Sequence, residues 1–174
     1  MPEIIFFVDI DGTVSLMPEY ISNRSAFKAK LYEDIDFDEA SINNLNDFQK
    51  VCNLTLEKDV GIVISSAWRF NANASTFHRI FANNNCKIPV IDKTPLFSYS
   101  DSTLPDDYAR NTRGREIERW LDNYKSPVEN FVIFDDMTSD IIEIYSDKLV
   151  GLDSSKGIDE QAYEQALQII LNEN

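Results

Sequence analysis

The sequence predicts an α/β domain in three layers, with one parallel sheet flanked by helices on both faces. Three observations carry this. Short, wholly apolar runs recur at Ile4-Ile5-Phe6-Phe7-Val8, Gly61-Ile62-Val63-Ile64 and Phe131-Val132-Ile133-Phe134. Runs of that kind suit strands covered on both faces, whereas a strand with one wet face alternates. Between them lie segments with apolar residues at helical spacing, the connections that parallel strands require. The chain has 174 residues, enough for one such domain burying roughly two thirds of its unfolded surface, with no room for a large second one. Residues 1–174 are therefore expected to form a single domain.

The first strand ends in Asp9-Ile10-Asp11-Gly12-Thr13. In open α/β sheets ligands bind at the carboxyl ends of strands, so two carboxylates placed there stand where chemistry is done. Gly12 lets the chain turn sharply and bring N–H groups close to an anion. The plain alternative is a solvated acidic turn. A calcium loop fails, because an EF-hand needs Gly at its sixth position and Glu at its twelfth. Counted from Asp9, the glycine is fourth and the twelfth residue is Tyr20.

Residues 14–38 are mixed and irregular. Ile42, Leu45, Phe48 and Cys52 then recur at helical spacing, predicting a helix over 41–56 whose apolar stripe is core. The second strand, 61–64, closes on Ser65-Ser66-Ala67-Trp68-Arg69. A hydroxyl and free N–H groups at that strand end can hold a phosphoryl oxygen, or simply make a turn. Trp68 and Arg69 either reach the mouth of a site or serve the fold, Trp68 packing under the loop and Arg69 making a surface ion pair. A helix over 71–84 turns Phe77, Ile80 and Phe81 inward. His78, the single histidine, has no second His or Cys at ligand spacing and reads as a surface or helix-packing residue.

A short strand at 88–91 leads into a loop over 92–111 carrying Pro95, Pro105, Phe97, Tyr99 and Tyr108, the aromatics packing against the body or meeting a substrate. Thr112 caps a helix with Ile117, Trp120, Leu121 and Tyr124 on one face. Arg113 and Arg115 occupy its first turn, where cations are mildly unfavourable, so they call for an anion nearby. The third strand, 131–134, closes on Asp135-Asp136-Met137-Thr138-Ser139-Asp140. Carboxylates converging from two strand ends repel one another without a cation, which makes a metal a physical requirement. A helix around 140–145, a strand at 148–152 and a helix after Gly157, with Ala162, Ala166, Ile169 and Ile170 toward the sheet, complete the chain.

Asp9 to Thr13 resembles motif I, DxDGT, of the haloacid dehalogenase (HAD) superfamily, whose members are mostly Mg-dependent phosphatases. The resemblance implies an HAD-like, Rossmann-like fold with Asp9 as nucleophile and Asp11 as general acid/base. An acid at the second position is the phosphatase form. The strand ending on Ser65 is similar to motif II, with Ser66 as a one-position alternative. Arg113 matches motif III, the phosphate clamp at the start of the helix before the last catalytic strand, and Arg115 is the fallback. The Arg-Gly-x-Glu-Ile pattern of residues 113–117 is similar to that of small, minimally capped members.

Asp135, Asp136 and Asp140 resemble motif IV. Mg²⁺ takes oxygen ligands, and the resemblance implies Asp9, the Asp11 carbonyl and Asp136, with Asp135 and Asp140 orienting the site. Segments 14–38 and 92–111 fall where the superfamily places caps; both are short, so no large cap domain is expected. The motifs arrive in order over residues 4–140.

The implied activity is phosphomonoester hydrolysis through an aspartyl-phosphate. A small phosphorylated substrate is the first expectation. A macromolecular one, a phosphoprotein or nucleic-acid end, is the alternative, since an open site admits bulk and Phe134-Asp135-Asp136 also resembles the phosphatase half of polynucleotide kinase-phosphatases. A non-catalytic scaffold binding metal or a protein partner is a third reading. With 30 acidic against 16 basic residues and a net charge of −14, extended nucleic-acid binding is not expected. Cys52 and Cys86 lack CxxC or His spacing and read as free thiols. With no signal core and no membrane-length apolar run, a cytoplasmic protein is expected. No residue pattern indicates an oligomeric state.

Overall fold

The computed structural model describes residues 1–16, 37–70, 72–96 and 112–171. Five strands, β1 (Ile4–Val8), β2 (Val60–Ile64), β3 (Val90–Lys93), β4 (Asn130–Asp135) and β5 (Leu149–Gly151), form one parallel sheet in the order β3-β2-β1-β4-β5. Among the described residues five α-helices accompany them: α1 (Glu39–Val51), α2 (Ala74–Asn83), α3 (Thr112–Asn123), α4 (Ile142–Tyr145) and α5 (Glu160–Leu171).

Side chains alternate along β1, and the two sets enter different cores. Ile4, Phe6 and Val8 pack with Ile42, Leu45 and Phe48 of α1, Phe77 and Phe81 of α2, and Ala162, Ala166 and Ile170 of α5. Phe6 lies flat on Phe48 at 4.8 Å between ring centres. Ile5 and Phe7 pack on the other face with Ile117 and Trp120 of α3 and with Ile141. Each large apolar side chain buried in this way contributes roughly 1.5–3 kcal/mol relative to exposure. The result is the expected three-layer Rossmann-like domain, and the described residues form no cap domain.

The central strands and helices fall where the periodicity placed them, with shifts that have local causes. The Asp38 carboxylate accepts the Ser41 N–H at 2.8 Å, so α1 starts before 41. The end of the expected helix widens into a π-helical turn at Cys52–Leu56. Asn73 accepts the Thr76 N–H at 2.9 Å and sets the start of α2 inside the expected 71–84. The expected strand at 88–91 instead runs Val90–Lys93. Pro89 has no N–H to give a ladder, and an edge strand tolerates the polar Asp92 and Lys93. Thr112 is the first residue of α3 rather than its cap. The helix expected around 140–145 divides into a 3₁₀ turn, Thr138–Asp140, and α4.

His78 is exposed and its Nδ1 accepts the Val90 N–H at 3.2 Å, a helix-surface role. Cys52 and Cys86 are buried free thiols, and burial pushes both pKa values up to about 11. No helix among the described residues is long and apolar enough to cross a membrane. Residues 17–36 and 97–111, most of the two segments expected at cap positions and including Phe97, Tyr99 and Tyr108, lie outside the described residues.

Candidate active site

Strand register assembles the site. Val8 is level with Ile64 of β2 and with Phe134 of β4. One residue further along, Asp9, Ser65 and Asp135 therefore stand side by side, and the backbone stays laddered there: Asp9 N–H donates to Phe134 O at 3.0 Å and Ser65 N–H to Val8 O at 2.9 Å. By strand alternation all three share the parity of Phe7, Val63 and Ile133, whose face α3 covers. Arg113, in the first turn of α3, meets them from that side.

Arg113 Nη1 lies 2.9 Å from Asp9 Oδ2 and 2.5 Å from Asp135 Oδ2. Burial works to lower the Arg113 pKa, but the two carboxylates together outweigh it and hold the guanidinium charged. Asp9 Oδ1 accepts the Ile10 N–H at 2.8 Å. Asp135 is fully buried, and its Oδ1 accepts the Met137 N–H at 2.8 Å. Burial pushes the Asp135 pKa up while Arg113 opposes it. Asp136 is half-buried and its pKa is also raised, by burial first and then by the Asp9 charge.

Asp9, Asp135 and Asp136 each bring a carboxylate oxygen within 4.8 Å of the others. An all-oxygen donor set of this kind suits a hard divalent cation such as Mg²⁺. Gly12 makes the convergence possible. Its φ is +74°, and a Cβ there would lie 2.5 Å from Asp136 Oδ2 and 2.9 Å from Ser154 Cβ. Asp140 sits on the 3₁₀ turn after β4 and is not one of the clustered acids; its carbonyl oxygen packs 3.3 Å from where a Gly114 Cβ would stand.

Asp11 is not one of the clustered acids, and its Oδ2 accepts the indole Nε1–H of Trp68 at 2.8 Å. Ser65 and Ser66 are both buried, but differently employed. Ser66 Oγ accepts the Trp68 N–H at 3.4 Å, whereas Ser65 Oγ has no hydrogen-bond partner among the described residues. Arg113 and Arg115 likewise part company: Arg115 pairs with Glu118 at 3.0 Å, one turn along the helix.

Arg69 does not make the expected surface ion pair. It is buried, paired with Glu116 of α3, and its Nη1 donates to Ser66 O at 2.6 Å. In the sequence Glu116 stands out only as part of the Arg-Gly-x-Glu-Ile pattern, with no role of its own. Its signal is its position: three residues after Arg113 and four before buried Trp120, it is an acid on the packed face of the helix.

Parallel strands ending in clustered carboxylates, with a half-buried arginine laid across two of them, define an HAD-type domain. The family model for the HAD domain in Swiss Army Knife RNA repair proteins matches residues 5–163, and the chain belongs to that family. Membership supports a phosphatase-type hydrolase or a related activity. No curated protein and no solved structure matches the chain.

Proposed function

We propose that the protein is a Mg²⁺-dependent phosphomonoester hydrolase that works through an aspartyl-phosphate on Asp9. The observation that carries this reading is Arg113 bridging Asp9 and Asp135, with the buried hydroxyl of Ser65, which has no hydrogen-bond partner among the described residues, at the adjoining strand end. Mg²⁺ held by Asp9, Asp136 and the Asp11 carbonyl would supply positive charge against the phosphoryl oxygens and the clustered acids. Asp135 is already engaged by Arg113 and the Met137 N–H, which suits an orienting role.

In the first half-reaction an Asp9 carboxylate oxygen forms a bond to phosphorus as the bond to the leaving oxygen breaks. That oxygen keeps the electron pair and takes a proton from Asp11. In the second, Asp11 takes a proton from water as the water oxygen bonds to phosphorus, and the electron pair of the breaking bond returns to Asp9. Ser65 Oγ–H and Arg113 hold the equatorial oxygens through both steps, where charge is spread most widely.

The family description favours RNA ends as the substrate class over a small phosphorylated metabolite. A net charge of −14 then limits contact to the terminal phosphate and its nearest nucleotides, so affinity should depend only weakly on salt. The buried free thiols suit the reducing cytoplasm, where we place the protein.

The test is phosphate release from 4-nitrophenyl phosphate with Mg²⁺ and with EDTA, followed by short oligoribonucleotides carrying 5′- or 3′-phosphates beside nucleotide and sugar phosphates. Mg²⁺-dependent release supports the reaction, and a preference for oligoribonucleotide ends supports the substrate class. No release from folded, Mg²⁺-supplied protein on any of them would overturn the reading.

A further inference from the structure

The turn after β2, Ala67–Phe70, presents its three large side chains in three directions. Trp68 points its indole at Asp11, Arg69 is buried against Glu116, and Phe70 stands 67% exposed in solvent. The turn itself is fixed from both sides. Arg69 Nη1 ties back to Ser66 O, while Lys93 Nζ, from the end of β3, donates to Arg69 O at 2.8 Å and to Ala72 O at 2.7 Å. The body of Trp68 packs against the core that contains Ile10 and Val14. Its Nε1–H is thus a donor on a rigid support, aimed at one oxygen of the acid expected to move protons.

An Asp side chain has several staggered rotamers, and proton transfer fails in most of them because it depends on geometry first. An indole N–H donates and never accepts, so it cannot exchange a proton with Asp11. It can hold Oδ2 in place whether the carboxyl is protonated or ionised, so the orientation of the carboxyl survives the movement of the proton.

We propose that Trp68 is the positioning residue for Asp11: its indole holds the carboxyl in the orientation from which it gives a proton to the leaving oxygen and later takes one from water. The role rests on the phosphatase reading given above. It assigns no contact between Trp68 and substrate.

Leaving groups separate this role from a structural one. An alkoxide needs the proton as the phosphorus–oxygen bond breaks, whereas 4-nitrophenolate leaves readily without it. Trp68→Phe should lower kcat about 10- to 100-fold on an oligoribonucleotide end phosphate, a fraction of what general acid catalysis supplies, with KM little changed. On 4-nitrophenyl phosphate the loss should be under about 3-fold by the same reasoning. Asp11→Asn should show the same selectivity, and adding Trp68→Phe to it should cost nothing further.

A second measurement needs neither activity nor metal, and it keeps Trp68 in place. The chain has two tryptophans, so an ¹⁵N spectrum shows two indole signals. Trp120 Nε1 donates to Asp92 Oδ2 at 2.8 Å, and Asp92→Ala identifies its signal. Asp11→Ala should shift the other indole and leave that of Trp120 alone. An unmoved Trp68 indole in Asp11→Ala, or equal kcat losses on both substrates in Trp68→Phe, would overturn the proposal. Wild-type protein inert on both substrates with Mg²⁺, but with the indole shift present, would overturn the phosphatase reading and this catalytic role with it.

Discussion

Arg69 and Glu116 form an ion pair whose side chains are only 5% and 3% exposed, joining the turn after β2 to the middle of α3. Both elements carry parts of the candidate site, Ser65 and Trp68 on one and Arg113 on the other. The pair is the strut that sets their separation. Burial lowers the Arg69 pKa and Glu116 opposes that, so the Arg69 charge depends on Glu116.

Removing one partner should therefore be far worse than removing both. Glu116→Ala is expected to cost about 3–5 kcal/mol in urea unfolding, because a guanidinium is left buried without its carboxylate. Arg69→Met combined with Glu116→Leu should recover most of that stability while lowering phosphatase activity, since apolar packing replaces charge but not the geometry it imposes. Stability losses that simply add in the double variant would refute the strut.

Asp9→Asn is expected to abolish turnover, by on the order of 10³-fold or more, the scale seen when a nucleophile is removed. The fold should stand, because the carboxamide is the same size and its oxygen can still accept the Ile10 N–H. Circular dichroism and the urea midpoint check the second half; activity retained in a well-folded variant refutes the first.

How far the sequence was legible follows from the range of each interaction. Strand ends, caps and apolar stripes are local, so β1, β2, β4 and the inward faces of α2, α3 and α5 could be read directly, and with them the placing of Asp9, Ser65 and Asp136 just after strands and of Arg113 at a helix start. The edge strand β3 slipped by two residues because Pro89 cannot donate and because polarity on an edge strand is permitted. The partners of Trp68 and Arg69 could not be read at all. They lie 57 and 47 residues away in sequence, and nothing in a run of residues tells an indole which carboxylate it will face.

Arg113→Ala should disable the site by two routes. It removes the cation between Asp9 and Asp135, leaving a fully buried acid with only the Met137 N–H. A stability loss of about 3–5 kcal/mol is the expected order for an unpaired buried charge. Arg113→Lys keeps the charge without the planar fork, so it should restore much of the stability but leave KM for phosphate esters raised. Stability and KM moving together through the series would contradict this separation.

Gly12→Ala tests the close approach of the first turn to Asp136. The backbone sits at φ +74°, where a non-glycine residue costs about 1–2 kcal/mol. The methyl would also displace Asp136 and press on Ser154. Activity should fall by more than the stability loss explains, because the displaced carboxylate is one of the three clustered acids. A fully active variant that is merely less stable would detach Asp136 from the site.

Mg²⁺ itself supplies the last test, and it reads out without turnover. Three acids crowd one strand-end cluster with one arginine among them, so a cation bound only by the folded state should stabilise it. At a hundredfold excess over its dissociation constant the gain is about 2.7 kcal/mol, or roughly 5–10 °C in melting temperature for a chain of this size. EDTA should reverse it. Asp136→Asn should remove the shift, because it takes away a ligand, while leaving the metal-free melting point unchanged or higher through reduced repulsion. Asp135→Asn should keep most of the shift, because that carboxylate already serves Arg113 and the Met137 N–H. The opposite ranking would exchange the two roles, making Asp135 the ligand and Asp136 the orienting acid.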